Sequence, residues 1–252
     1  MIYEKIAAAQ SASRKLFALL VDPDKNDDAT LIRTAQLAQE AHVDFLLVGS
    51  SILLEKGVDH CVELLRENCS LPVILFPGNT LQVTPKADAL LFLSLISGRN
   101  PDLLIGQHVV AAPFLRQSNL EVLSTGYLLI DSGAPTSASY MSQTLPIPHD
   151  KDDIAAATAL AGEMLGMKLI YLDAGSGARY TVRTSMIEKV RGTVRTPLIV
   201  GGGIRTAEKV IALCQAGADI VVVGNSIEER PELLFELTAA LQSMNQSSSV
   251  GN

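Results

Sequence analysis

The sequence predicts a single (β/α)8 barrel, and three observations carry that prediction. Buried-strand and helix patterns alternate from end to end of a 252-residue chain, close to the roughly 250 residues such a barrel takes. Hydrophobic residues make up 48% of it, aromatics only 4%, and Trp is absent. A core of Ala, Val, Ile and Leu of this kind suits a packed barrel interior and its outer ring of helices. Near the C-terminus, Pro197-Leu-Ile-Val-Gly-Gly-Gly-Ile-Arg-Thr206 and Ile220-Val-Val-Val-Gly-Asn-Ser226 are two successive apolar strands that end in glycine. They stand where the last two βα loops of a barrel build its phosphate site.

In order along the chain, residues 2–14 read as a short amphipathic helix and Leu16–Val21 as the first strand. Asp27 or Asp28 caps the helix that follows. Phe45–Val48 is the second strand, Val58–Arg66 its helix and Pro72–Phe76 the third strand. The next stretch, Pro77–Pro85, leaves little room for a helix, so the third helix is expected to be short or missing, opening the barrel wall. Leu90–Leu95 is the fourth strand, Leu103–Leu115 its helix, and Val122–Ile130 the fifth strand. Residues 131–150 are the least regular, and a loop of this length in a compact domain is functional or an oligomer contact. Ile154–Leu165 reads as a helix and Leu169–Leu172 as a strand, while Ser185-Met-Ile-Glu188 has the spacing of a capping box. The last helix is placed at Pro231–Leu241. The domain is thus residues 1–242, and the Ser- and Asn-rich 243–252 is expected to be a disordered tail.

Composition excludes several functions. With a net charge of −7 there is no basic stripe to neutralise nucleic-acid phosphates. Cys61, Cys69 and Cys214 are odd in number and lack metal spacing, which reads as reduced thiols and no disulfide or zinc site. No signal peptide or membrane-spanning run is visible, so a soluble, cytoplasmic protein is expected. His42, His60, His108 and His149 form no metal-spaced pair and read as structural or surface residues.

Chemistry in a parallel barrel sits at the C-terminal ends of its strands. The polar residues there are Asp22, Asp24, Ser50, Ser51, Asn79, Ser97, Arg99, Asp131, Asp173, Ser176, Gly201–Gly203 and Gly224-Asn225. Glycines between a strand and a helix start bring bare N–H groups together with the positive end of the helix dipole, an arrangement that holds phosphate. A generic tight turn is the alternative for one such site, and the pairing of two disfavours it. Asp22, set before a proline and ahead of its helix, reads as a site residue rather than a mere cap. Hydroxyls beside it add hard oxygen donors, which magnesium accepts when substrate phosphates complete its shell.

Leu20-Val-Asp-Pro-Asp-Lys25, Val48-Gly-Ser-Ser51, Tyr171-Leu-Asp-Ala-Gly-Ser-Gly177, Gly201-Gly-Gly-Ile204 and Val223-Gly-Asn225 follow one another at matching strand ends. Together they resemble geranylgeranylglyceryl phosphate synthase, from Leu16 to Asn225. Phe76-Pro-Gly-Asn79, Leu93–Asp102 and Ile105-Gly-Gln-His-Val109 resemble its larger, oligomer-forming branch. The resemblance implies a prenyltransferase of phospholipid biosynthesis that joins a prenyl diphosphate to sn-glycerol 1-phosphate as an ether, its product passing to a membrane. It implies Mg2+ on Asp22 and Ser51. The acceptor would lie on Tyr171, Leu172, Asp173, Ala174, Gly175, Ser176 and Gly177, with its phosphate on Gly202, Gly203, Gly224 and Asn225. Asp173 would be the general base, and it departs from the Glu usual in that motif. A homo-oligomer is implied, the hexamer being the form associated with that branch. The prenyl chain needs an apolar groove, expected from Leu90–Ile96, Val122–Ile130 and the short segment after Phe76. The competing readings are another phosphate-binding barrel, such as a sugar-phosphate isomerase, and a catalytically silent binding barrel.

Overall fold

A computed structural model describes residues 1–53 and 57–249. Eight parallel strands close into a barrel in chain order. They are β1 (Leu16–Val21), β2 (Phe45–Val48), β3 (Val73–Leu75), β4 (Ala89–Leu95), β5 (Glu121–Leu129), β6 (Leu169–Asp173), β7 (Leu198–Gly201) and β8 (Ile220–Val223). Side chains alternate across each strand. Leu169 and Tyr171 therefore join the barrel interior, while Ile170 and Leu172 pack outward among the helices. The interior is closed at its base by α1 (Ile2–Ser11), whose Ile2, Ile6 and Ala9 belong to the inner cluster. Each such aliphatic side chain, fully buried, contributes about 1.5–3 kcal/mol.

The outer layer is α2 (Asp28–Glu40), α3 (Val58–Asn68), α4 (Gln107–Gln117), α5 (Ser137–Ser142), α6 (Asp152–Met164), α7 (Thr184–Arg191), α8 (Ala207–Gln215), α9 (Asn225–Glu229) and α10 (Leu233–Ser249). Asp27 caps α2 through a bond from the Thr30 N–H (2.8 Å). Between β3 and β4 a single 3-10 turn, Thr80–Gln82, replaces the helix, as the spacing of Pro77 and Pro85 predicts. Beside that gap stand the two longest strands, β4 and β5, paired in register from Ala89↔Glu121 to Leu95↔Tyr127.

Two expectations are corrected. Residues 243–249 are not a loose tail: α10 runs to Ser249. Asn245 ties it down, its side chain accepting from the Lys15 N–H (2.8 Å) and donating to the Lys15 carbonyl (3.0 Å). That paired bond to the residue just before the first strand outweighs the weak helix propensity of Ser and Asn; residues 250–252 lie outside those described. Nor does Ser185 cap a helix. Helix α7 begins one residue earlier, Arg183 holds the capping position, and its side chain makes no capping bond. The irregular 131–150 stretch is partly ordered, with α5 capped by Thr136 and Ile130 bridging Ile147.

Candidate active site

One cavity of about 670 Å3 opens at the C-terminal ends of the strands. Asp173, the last residue of β6, lines it. Strand alternation turns Tyr171 and Asp173 inward, and the β5–β6 register sets Tyr127 directly beside Tyr171. The Tyr127 hydroxyl donates to Asp173 Oδ2 at 2.5 Å, and the Gly175 N–H donates to Oδ1 at 2.7 Å. Asp173 is only 6% exposed. Burial raises its pKa above the usual Asp value, while the bonds from Tyr127 and Gly175 act in the opposite direction. Burial also lifts Tyr127 well above the ordinary phenol range, helped by the Asp173 charge. The group is thus a carboxyl of raised proton affinity held by a phenol whose own pKa is raised as well. Around it stand three rings. Phe76 stacks on Tyr171 (5.4 Å between centroids), and Tyr127 meets Tyr171 edge-on (5.5 Å).

Beside Asp173 the wall is backbone. Gly202 and Gly203 have φ of +89° and +72°, a region that L side chains rarely enter. A Cβ on Gly202 would stand 2.7 Å from the Gly175 nitrogen. Among the described residues, neither the Gly202 nor the Gly203 N–H donates to another backbone group. Gly224 precedes α9, placing that helix start at the same wall. Hydroxyl bonds lock the three loops together: Ser176 to Asn225 Oδ1 (3.1 Å) and Ser226 to the Ile204 carbonyl (2.9 Å). The result is a rigid nest of donors suited to an anion.

At the ends of β1 and β2, Asp22 divides its two oxygens. Oδ1 accepts the Asp24 N–H (3.1 Å), capping a 3-10 turn, and Oδ2 accepts the Ser50 hydroxyl (3.0 Å). Lys25 reaches across the mouth, its Nζ 3.2 Å from both Asn225 Oδ1 and Glu228 Oε2 and 3.8 Å from Asp22 Oδ2. Buried Gln82 holds the next loop in place, donating to the Ser50 carbonyl (2.8 Å) and accepting the Gly78 N–H (3.1 Å).

The remaining wall is apolar. Where a third helix would stand, the cavity extends over Leu90, Phe92 and Leu93 of β4 towards Leu103, His108 and Ala111. His108 is buried, its ring edge-on to Phe92 (4.3 Å) and its Nε2 3.1 Å from the Ser94 hydroxyl. Burial lowers its pKa, so it stays neutral and fits an apolar wall. Ala138 and Met141 of α5 lean over the same cavity.

The PcrB family profile matches residues 10–242. The chain belongs to the PcrB family. Among relatives, it is 53% identical over 240 residues to the geranylgeranylglyceryl phosphate synthase of Chitinophaga pinensis, covering 95% of each chain. It is 40% identical to that of Korarchaeum cryptofilum over 93% of this chain and 97% of the relative. A solved structure of (S)-3-O-geranylgeranylglyceryl phosphate synthase from Thermoplasma acidophilum, in complex with sn-glycerol-1-phosphate, superposes with a TM-score of 0.91 at 32% identity. It covers 96% of this chain and 99% of that one.

On this PcrB-family barrel, the residues expected at the site fall into two groups. Asp22, Ser51, Tyr171, Asp173, Gly175, Ser176, Gly177, Gly202, Gly203, Gly224 and Asn225 all line the mouth. Leu172 and Ala174 do not: strand alternation sends both into the outer core with the helices. The hydroxyl in contact with Asp22 is that of Ser50, with Ser51 next along the same wall. Ser97 and Asp131 are loop braces, accepting the Leu129 and Gly133 N–H groups (both 3.0 Å). Arg99 donates to the Gly98 carbonyl beside it (2.7 Å). The expected groove is corrected too, since Tyr127 alone from β5 lines it and α4 supplies the opposite wall. Sequence reasoning missed Tyr127, Lys25 and Gln82. Tyr127 lies in mid-strand by sequence, and only the β5–β6 register shows that it meets Asp173.

Proposed function

We propose that this chain is a prenyltransferase that joins geranylgeranyl diphosphate, or a related prenyl diphosphate, to sn-glycerol 1-phosphate. The carrying observation is that one cavity contains both ends such a reaction needs. A glycine-walled anion nest with a buried carboxylate faces an apolar groove that leads away from it. In the reaction, the acceptor oxygen bonds to the allylic carbon as the bond from that carbon to the diphosphate oxygen breaks. The electron pair of that bond leaves with the diphosphate, and the acceptor proton passes to Asp173. A base must lie within hydrogen-bond reach of the hydroxyl it deprotonates. Holding the acceptor phosphate in the glycine nest fixes which hydroxyl reaches Asp173 and the allylic carbon. Tyr127 positions the carboxylate, and the faces of Tyr171 and Phe76 suit the positive charge that grows on the prenyl carbon.

Asp22 and the Ser50–Ser51 hydroxyls fit Mg2+. They are hard oxygen donors, and among the described residues no group of three His, Cys, Asp or Glu forms a complete protein cage, so substrate phosphates would fill the remaining positions. When bound, the ion neutralises the leaving diphosphate. Lys25, between Asp22 and Glu228, supplies a second positive charge at that end. A homo-oligomer, hexameric in the branch that the sequence resembles, is supported by exposed Ile105, Val109 and Phe114, which run along and into α4. No described helix is long and apolar enough to cross a membrane. In our reading the enzyme is cytoplasmic and its lipid product passes to the bilayer.

A sugar-phosphate isomerase would share the nest but has no use for the groove. An N-acetylmannosamine-6-phosphate 2-epimerase from Clostridium perfringens (TM-score 0.56, 13% identity) shows the shared fold alone. Calorimetric titration with sn-glycerol 1-phosphate tests the reading: the chain should bind it and discriminate against the sn-3 enantiomer. Gly203→Val, at φ +72° and on the nest wall, should weaken that binding at least about tenfold while the protein stays folded. Equal affinity of a folded variant would reduce these glycines to packing devices.

A further inference from the structure

A second cavity, of about 490 Å3, lies beside the loop that follows β6 and shares only Gly203 with the reaction mouth. The backbone of Tyr180 and Thr181 forms the partition, 3.2–3.3 Å from where a Cβ on Gly203 would stand. Its lining is almost entirely of donor character. Arg179, Arg183 and Lys209 meet there, and among the described residues none of the three forms an ion pair. All three are exposed side chains, and what sets them apart is that they converge on one cavity. The start of α7 opens onto the same space and is uncapped, Arg183 giving no side-chain bond. The first N–H to find an intrahelical acceptor is that of Ile187, bonded to the Arg183 carbonyl (3.1 Å). The N–H groups of Thr184, Ser185 and Met186 are therefore left over at the positive end of the helix. Ser185 also lines the cavity, and its hydroxyl is buried without a hydrogen-bond partner.

Three unpaired cations, an uncapped helix start and an orphan hydroxyl all lack the same thing, an acceptor carrying negative charge. We propose that this cavity is a second anion site, independent of the glycine nest, that takes a phosphate-bearing group. Two sources share that chemistry, a soluble phosphate or diphosphate and the headgroup of an anionic lipid. The guanidinium forks of Arg179 and Arg183 suit either, because they bond phosphate oxygens in pairs.

The experiment compares the full chain with an Arg179→Ser/Arg183→Ser/Lys209→Ser variant, none of whose changes touches the catalytic machinery. Both are titrated with inorganic diphosphate in EDTA, with the mouth filled by saturating sn-glycerol 1-phosphate. They are then floated with vesicles of phosphatidylglycerol and phosphatidylcholine, or of phosphatidylcholine alone. The variant should keep its melting temperature and its glycerol phosphate affinity, yet bind diphosphate about tenfold or more weakly. If wild type alone also floats with the anionic vesicles, the natural ligand is a headgroup. If neither protein floats, it is a soluble phosphate compound. Diphosphate affinity equal in the two proteins overturns the proposal, and so does a vesicle difference without a diphosphate difference, which marks general surface charge. Ser185→Ala supplies a gentler variant, expected to weaken diphosphate binding severalfold with all charges kept. A chain that fails to bind glycerol phosphate at all would count against the proposed reaction, not against this site.

Discussion

At its acceptor end the cavity is walled by main chain: Gly202 and Gly203 at positive φ, the start of α9, and loops cross-tied by Ser176 and Ser226. At its donor end it is walled by side chains, with Leu90, Phe92, Leu93, His108 and Ala111 filling the space of a missing helix. The first can hold only a small, charged group in one orientation, because its donors cannot rotate. The second can accept a flexible apolar chain, because rotamers adapt and His108 is the one titratable side chain among these wall residues. On the proposed reaction, rigid geometry falls at the acceptor and adaptable packing along the prenyl chain. Asp22 and Asp173 line the same cavity, and in the proposed reaction the first serves the leaving diphosphate and the second the acceptor hydroxyl.

The largest effect should come from disabling the donor side. Asp22→Asn keeps a cap for the Asp24 N–H but removes the charge, and turnover should fall below detection at any magnesium concentration. Affinity for sn-glycerol 1-phosphate by titration should remain within about twofold. Near-normal turnover at saturating magnesium would remove Asp22 from the metal assignment.

Disabling the other side comes next. Asp173→Ala should lower kcat by about a hundredfold to ten-thousandfold, with little change in magnesium dependence. Asp173→Glu gives the finer reading. The Tyr127 and Gly175 bonds hold the shorter carboxylate back at the strand end. A Glu of restored reach should retain substantial activity if those partners can let it extend, and should behave nearly like Ala if they cannot. Wild-type turnover in Asp173→Ala would mean that the proton leaves by another route.

Tyr127→Phe should have a smaller effect with a distinctive signature. In the proposed reaction the ionised form of Asp173 takes the acceptor proton, so activity is expected to be full above its raised pKa and to fall as pH drops through it. The Tyr127 hydrogen bond lowers that pKa. Removing it should shift the acid limb of kcat towards higher pH, besides a loss of about tenfold at neutral pH. A fall in kcat with the limb unmoved would make Tyr127 a packing residue only.

How much of this was legible in the sequence follows the same division. The glycine wall of the cavity was legible because a bare-backbone wall requires glycine at fixed places, and Gly201–Gly203 and Gly224-Asn225 declare themselves. The missing helix was legible from Pro77 and Pro85. Tyr127 was not, because its role depends on the register of two strands that bring it to Asp173, 46 positions further along the chain. Leu172 and Ala174 were included because a motif is contiguous in sequence, while a strand sends alternate residues to opposite faces. The helical end of α10 was missed because its stability comes from Asn245 gripping Lys15, a tertiary contact no local propensity reports.

The smallest effect sharpens the donor side. Ala111→Phe, in the groove wall opposite β4, should raise KM for long prenyl diphosphates severalfold and leave that for short ones and for the acceptor unchanged. An equal change for all lengths would place the chain elsewhere.

The account is tested most directly by mass spectrometry of products after incubation with magnesium and a ladder of prenyl diphosphates. Parallel reactions contain sn-glycerol 1-phosphate or its sn-3 enantiomer. The account predicts a prenylglyceryl phosphate ether with the sn-1 acceptor, little with its enantiomer, and tolerance of more than one prenyl length. Equal use of both enantiomers, or no ether with any donor, would contradict it.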